Sequence, residues 1–154
     1  MKLISAFLGT LICFHLYACN KNNEADPGHN FNDITNTDSM KLKMTVGSNV
    51  FTATLYNNAT ATAFKAKLPM TIDMVELNGN EKYFDLSDKL PANASNPGTI
   101  QTGDLMLYGS NTLVLFYKIF LTSYSYTRIG RIDNISGLAA ALGSGNVTVR
   151  FELE

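Results

Sequence analysis

The chain has 154 residues, a net charge of −1, and 45% hydrophobic against 16% charged residues. That balance fits a single folded domain with a modest core, and near-neutrality argues against the clustered basic face that a nucleic-acid partner needs. Two cysteines, two histidines and no tryptophan narrow the available chemistry further.

The chain opens with Lys2 and an apolar stretch over residues 3–16 that is short for a membrane span. Leu16-Tyr17-Ala18-Cys19 comes next, with a small residue just before the cysteine. Charge, apolar length and small-residue placement together read as a bacterial lipoprotein signal. Residues 1–18 are the expected signal peptide, and Cys19 is the expected lipid-bearing first residue of the exported protein. Residues 19–39 are rich in Asn and Asp and hold Pro27 and Gly28 with no apolar period. Such composition predicts a lipidated flexible tether. The expected address is therefore the cell envelope, periplasmic or surface-facing, with the membrane reached through the lipid anchor. Residues 40–154 are the expected folded domain.

Cys13 and His15 fall in the signal, Cys19 is acylated, and His29 falls in the tether. The folded domain thus has no cysteine and no histidine. Ser-His-Asp and Cys-His catalysis and His/Cys zinc sites are excluded within it. No cofactor or metal is expected, and no Gly-rich phosphate loop occurs.

Strand signals dominate residues 40–154. Leu42, Met44 and Val46 alternate with polar residues, Gly47 and Ser48 form a turn, and Phe51, Ala53 and Leu55 alternate on the return, so residues 41–55 read as a hairpin. Asn57 and Asn58 offer an N-cap for a helix over residues 59–67, which Pro69 stops. Met70, Ile72 and Met74 alternate in a third strand, Asn78-Gly79 is a hairpin turn, and residues 81–86 are its partner. Residues 87–104 read as a loop. Residues 105–108 and 112–120 read as a second hairpin around Gly109, and residues 128–133 as a further strand. Ser136 is positioned to cap a short helix through Leu142, closed by Gly143, and residues 147–153 alternate in a final strand. About eight strands with two short helices predict a mainly β barrel or sandwich whose helices cover its ends.

At the first helix the sequence resembles a cyclophilin. Thr60-Ala61-Thr62-Ala63-Phe64-Lys65-Ala66 is similar to the T-A-x-x-F-[RK]-A that comes after the opening cyclophilin hairpin. Leu115-Phe116-Tyr117, then Ile129-Gly130-Arg131-Ile132, then the short helix and closing strand keep the family's order along residues 40–154. Leu68-Pro69, Glu81-Lys82-Tyr83 and Gly103-Asp104-Leu105 look like the short bacterial cyclophilin-like branch. The resemblance implies an eight-stranded β-barrel with two short helices.

The departures bear on activity. Typical prolyl isomerases carry an Arg on the strand after the first helix, then G-F-x-x-Q-G-G-D-F. Here that strand reads Met70-Thr71-Ile72-Asp73-Met74, and the glutamine-glycine segment is missing. Tyr126 stands where the resemblance puts the groove histidine, and the groove tryptophan has no counterpart. The resemblance would place a groove near Met106, Tyr108, Phe116, Tyr117, Tyr124 and Tyr126. Tyrosines suit a peptide or small apolar ligand, having an apolar body and a polar tip. Arg128, two residues from Tyr126, is the one arginine near that groove; pointing inward it would take over the missing catalytic role from another strand, and the plainer reading is an exposed strand charge. Asp73, Glu76, Glu81 and Asp85 read as cross-strand solvated charges in preference to an acid-base pair. The expectation is a binding module without typical isomerase catalysis. The alternatives are a slow peptidyl-prolyl cis-trans isomerase acting on exported proteins and an accessory domain with no ligand.

Overall fold

The computed structural model describes residues 40–154; the signal, Cys19 and the tether lie outside the described residues. Strand β1 (Lys41–Val46) turns through Gly47 and Ser48 into β2 (Asn49–Leu55), with Val46 opposite Asn49. Gly47 has φ +57°, which a two-residue hairpin turn demands and which glycine adopts without a Cβ penalty. Helix α1 (Ala59–Lys65) comes next. The Asn58 side chain caps it by accepting from the Ala61 N–H at 2.8 Å. Strands β3 (Met70–Leu77) and β4 (Glu81–Asp85) are joined through Asn78 and Gly79, both at positive φ.

The segment after β4, expected to be loop throughout, contains one short strand, β5 (Thr99–Ile100). Next come β6 (Asp104–Tyr108) and β7 (Thr112–Phe116). The expected strand over 112–120 ends at Phe116, and β8 (Phe120–Leu121) leaves it to pair with β5. Strand β9 (Tyr126–Ile132) begins two residues earlier than expected. Helix α2 (Leu138–Leu142) is entered through Gly137 at φ +78°, with no side-chain cap. Ser136 does not cap it, because the helix starts one residue later and Gly137 occupies the cap position. Strand β10 (Val147–Leu153) closes the domain.

Eight strands form a closed antiparallel barrel in the order β1-β10-β3-β4-β7-β6-β9-β2. Closure leaves the barrel no free edge. Its interior is packed by Leu42, Met44, Phe51, Ala53, Met74, Leu105, Leu107, Leu113, Leu115, Val149 and Phe151, with Phe64 from α1 and Leu138 and Leu142 from α2. A helix can reach the interior of a closed barrel only through an end, so the two helices act as plugs. Phe64 meets Phe151 edge-on at 5.9 Å.

A second, smaller cluster lies on the opposite face of the wall. Ile100, Met106, Val114, Phe116 and Tyr126 pack there, with Tyr83 and Phe120 against them. Strands β6 and β7 are therefore buried on both faces, which is why Leu105-Met106-Leu107 and Leu113-Val114-Leu115-Phe116 read as continuous apolar runs. The segment carrying β5 and β8 covers this outer face, and beside it the wall opens into a groove.

Candidate functional site

Residues of one face of a strand recur every second position. On β4 that rule puts Glu81, Tyr83 and Asp85 together on the outer face, while Lys82 turns inward. On β6 and β9 it brings Tyr108 and Tyr126 to the same face, paired in register. These residues, with Leu77, Asn80, Thr112, Val114, Phe120, Leu121 and Tyr124, line an open groove of about 530 Å³. Its aromatic wall is continuous. Tyr108 and Tyr124 stand edge to face, 6.0 Å apart at 89°. Tyr126 lies 5.6 Å from Tyr108 and packs at right angles on Phe116, 5.4 Å away.

The residues expected at a groove do not all reach it. Tyr108, Tyr124 and Tyr126 line it. Tyr108 and Tyr124 are 46% and 61% exposed, whereas Tyr126 is almost wholly covered. Met106 and Phe116 are fully buried in the outer cluster and form the support behind the wall rather than its surface. Tyr117 belongs to the barrel interior, one residue beyond Phe116 and so on the other face. Its hydroxyl donates to the Glu76 carboxylate, at 2.8 Å and 2.9 Å from the two oxygens.

Arg128 is also separate from the groove. Between β6 and β9 the register shifts at Leu105 and Met106, so Met106 faces Arg128 while Leu105 faces Gly130. The bulge turns Ile129 into the core. Arg128 is left beside Asn58, Thr60, Pro91, Asn93 and Thr127, in another cleft of about 330 Å³. That cleft shares no lining residue with the tyrosine groove. The chain crosses β9 between them, through the Asn93 N–H to Thr127 Oγ1 bond of 2.9 Å and the Ser95–Tyr126 bridge.

Electrostatics distinguish the two faces of β4. Lys82 is completely buried and pairs with Glu76, and its ammonium also donates to the carbonyls of Gly143 and Gly145 at 2.9 Å and 2.5 Å. Burial alone would raise the Glu76 carboxyl. Hydrogen bonds from Lys82 and Tyr117, and the Lys82 charge, outweigh it and hold Glu76 below its ordinary value. The same surroundings push the Tyr117 phenol up to about 12, first by burial and then by the Glu76 acceptor. Glu81 differs. Burial and the nearby Glu76 charge both raise its carboxyl, and among the described residues no hydrogen bond or cation offsets them. The four carboxylates of this hairpin were expected as cross-strand solvated charges, although Glu76 shares the parity of Ile72 and Met74 and so faces inward. The expectation fits Asp73, which accepts from Thr148 Oγ1 on the exposed face, but not Glu76.

Among the described residues no group of three or more His, Cys, Asp or Glu side chains converges as a metal site, and no helix is long and apolar enough to cross a membrane. The groove offers ring faces, hydroxyls, an amide and two carboxylates, Glu81 and Asp85; its lining contains no lysine or arginine. Glu81, Tyr83 and Asn80 were not among the residues expected at the groove. Their signal was the strand alternation of β4, which places Glu81 and Tyr83 on one face.

The profile of the cyclophilin-like family matches residues 44–152. The chain belongs to the cyclophilin-like family. The solution structure of the hypothetical protein AF2241 from Archaeoglobus fulgidus is similar to this cyclophilin-like domain with a TM-score of 0.52 and 18% identity, over 75% of this chain and 95% of that one. At that identity the likeness concerns the fold. No curated protein matches the sequence. The barrel and the two helices are those of a cyclophilin-like domain, and the expected fold holds.

Proposed function

We propose that this chain is an envelope lipoprotein whose cyclophilin-like domain is a binding module for a peptide or small ligand, without typical prolyl isomerase catalysis. The observation that carries the reading is the groove itself: an open aromatic cleft, backed by a second packed cluster and lined by no arginine. Pockets of this size with a few polar groups among aromatic walls suit ligands of modest size. Exposed Tyr108 and Tyr124 supply apolar contact area at little conformational cost. The anchor rests on Leu16-Tyr17-Ala18-Cys19, and Cys19→Ser is expected to release the protein from membranes; continued membrane association would count against the lipid.

A slow isomerase is the second reading, and one assay separates the two. The full chain, carrying Cys19→Ser so that it stays unacylated, is added to a proline-containing peptide whose cis-trans exchange is monitored. The binding-module reading expects the uncatalysed rate, with or without Arg128→Ala. Acceleration that disappears in Arg128→Ala would replace it with an envelope isomerase using a relocated arginine.

A further inference from the structure

We propose that the groove is a cation site that takes an alkylated ammonium group, seated in the corner made by Tyr108 and Tyr124, with the two carboxylates of the β4 face as counter-charge, Asp85 on the Tyr108 rung and Glu81 further along the groove. This rests on the ligand-binding reading above and names the ligand chemistry. Two rings at right angles, 6.0 Å apart, with Tyr126 beside them, present aromatic surface from more than one direction. A cation within about 6 Å of a ring centroid is attracted by the ring quadrupole, and aromatic cages for quaternary ammonium groups use that geometry.

The polar groups agree with the aromatic ones. Glu81 is half-buried, and among the described residues its carboxylate has no hydrogen-bond donor and no cation. Next to it, the Asn80 Oδ1 is buried without a partner. Asp85, which shares Thr112 with Tyr108 as a cross-strand neighbour, accepts from Thr112 Oγ1 at 2.6 Å. Neither nearby lysine pairs with Glu81 among the described residues. Lys82 is spent on Glu76 and two carbonyls on the inner face, and Lys118 stands over the Tyr117 ring at 5.9 Å.

The alternatives fare worse on the same residues. An anion would meet two carboxylates. A neutral apolar ligand would complete the burial of Glu81 and leave its charge uncompensated, which is costly. A bare ammonium is a compact, strongly hydrated charge that gives up water reluctantly. An alkylated ammonium spreads its charge over methyl groups that fit the ring faces, while Leu77 and Leu121, 40% and 83% exposed, offer apolar contact to the chain that carries it.

The test titrates the full Cys19→Ser chain, by calorimetry and by NMR of its tyrosine signals, with choline, with its neutral carbon isostere 3,3-dimethyl-1-butanol, and with N-acetyl-trimethyllysine methylamide. The expected result is that both cations bind about tenfold or more tighter than the isostere. Preference for choline would point to a small molecule or lipid headgroup, and preference for the trimethyllysine probe to a modified side chain. The double variant Glu81→Gln, Asp85→Asn is expected to lose about tenfold for the cations and nothing for the isostere. Tyr124→Leu, at a largely exposed position, is expected to weaken the cations as well, so a folding defect in one variant does not decide the result. Equal binding of choline and isostere would overturn the cation site while leaving the apolar groove standing. Absence of binding by all three probes would overturn both.

Discussion

Lys82 reaches complete burial because every proton of its ammonium has somewhere to go: one carboxylate and two loop carbonyls. Removing one member of a buried pair leaves the other desolvated and unpaired. Lys82→Met is therefore expected to cost about 3 kcal/mol in urea unfolding, part of it from loosening the Gly143 and Gly145 carbonyls. Gly130 illustrates a steric constraint of the opposite kind. A Cβ there would lie 2.7 Å from the backbone oxygen of Thr54, across the β2–β9 pairing. Gly130→Ala must push two paired strands apart and is expected to destabilise by about 1–3 kcal/mol, measured the same way. Glu81 and Glu76 are sequence neighbours in the hairpin with opposite electrostatics, and their variants should move stability in opposite directions. Glu76 is held below its ordinary value, near 4.5, so its contribution is fully present above that pH and is lost as pH falls through its folded value. Glu81 is raised, so folding is penalised once it ionises, and the penalty disappears on acidification. The groups facing Glu81 are Glu76 from β3, Tyr117 after β7 and Tyr126 from β9, with Asp85 on its own strand. At pH 7, Glu81→Gln should melt higher than the parent and Glu76→Gln lower, and both differences should shrink by pH 4.

Helix α1 depends on one residue at its start. Asn58 accepts from the Ala61 N–H and donates through Nδ2 to the Arg128 carbonyl at 2.9 Å, so it caps the helix and ties it to β9. Asn58→Ala is expected to cost about 1 kcal/mol, read as a shift of the urea midpoint with an unchanged slope. The cap was legible in the sequence because it is local: a side chain, a helix start and three residues. The hairpin turns at Gly47 and at Asn78-Gly79 were legible for the same reason. Less local features were not. The end of β7 at Phe116, the departure of β8 and its pairing with β5 join residues about twenty positions apart, and neither strand exceeds two residues. The bulge in β9 leaves its mark only as two inward isoleucines, Ile129 and Ile132, three positions apart. A bulge changes which face each later residue occupies, so a strand read by simple alternation goes out of phase beyond it.

At the scale of the molecule, a cyclophilin-like barrel carries an aromatic groove whose lining holds two carboxylates and no lysine or arginine. The barrel supplies a rigid wall, and the outer cluster of Met106, Val114 and Phe116 holds the tyrosines against it. Phe116→Ala would empty a fully buried position behind Tyr126; the expected cost is about 3–5 kcal/mol together with weakened ligand binding, checked by unfolding and by titration on the same sample. By itself, the sequence determined the strand alternation, the turn glycines, the Asn58 cap and the absence of cysteine and histidine from residues 40–154. These decide a mainly β barrel or sandwich and exclude whole classes of catalysis, because propensity, capping and composition act over a few residues or over none in particular. Only the tertiary structure decided that Met106 and Phe116 lie behind the groove and Tyr117 in the interior, that Arg128 belongs to a second cleft, and that Glu81 is left without a partner among the described residues. Those outcomes depend on which face of a closed wall each residue occupies and on what a distant segment lays over it, and both are set by strand pairings between residues far apart in the chain.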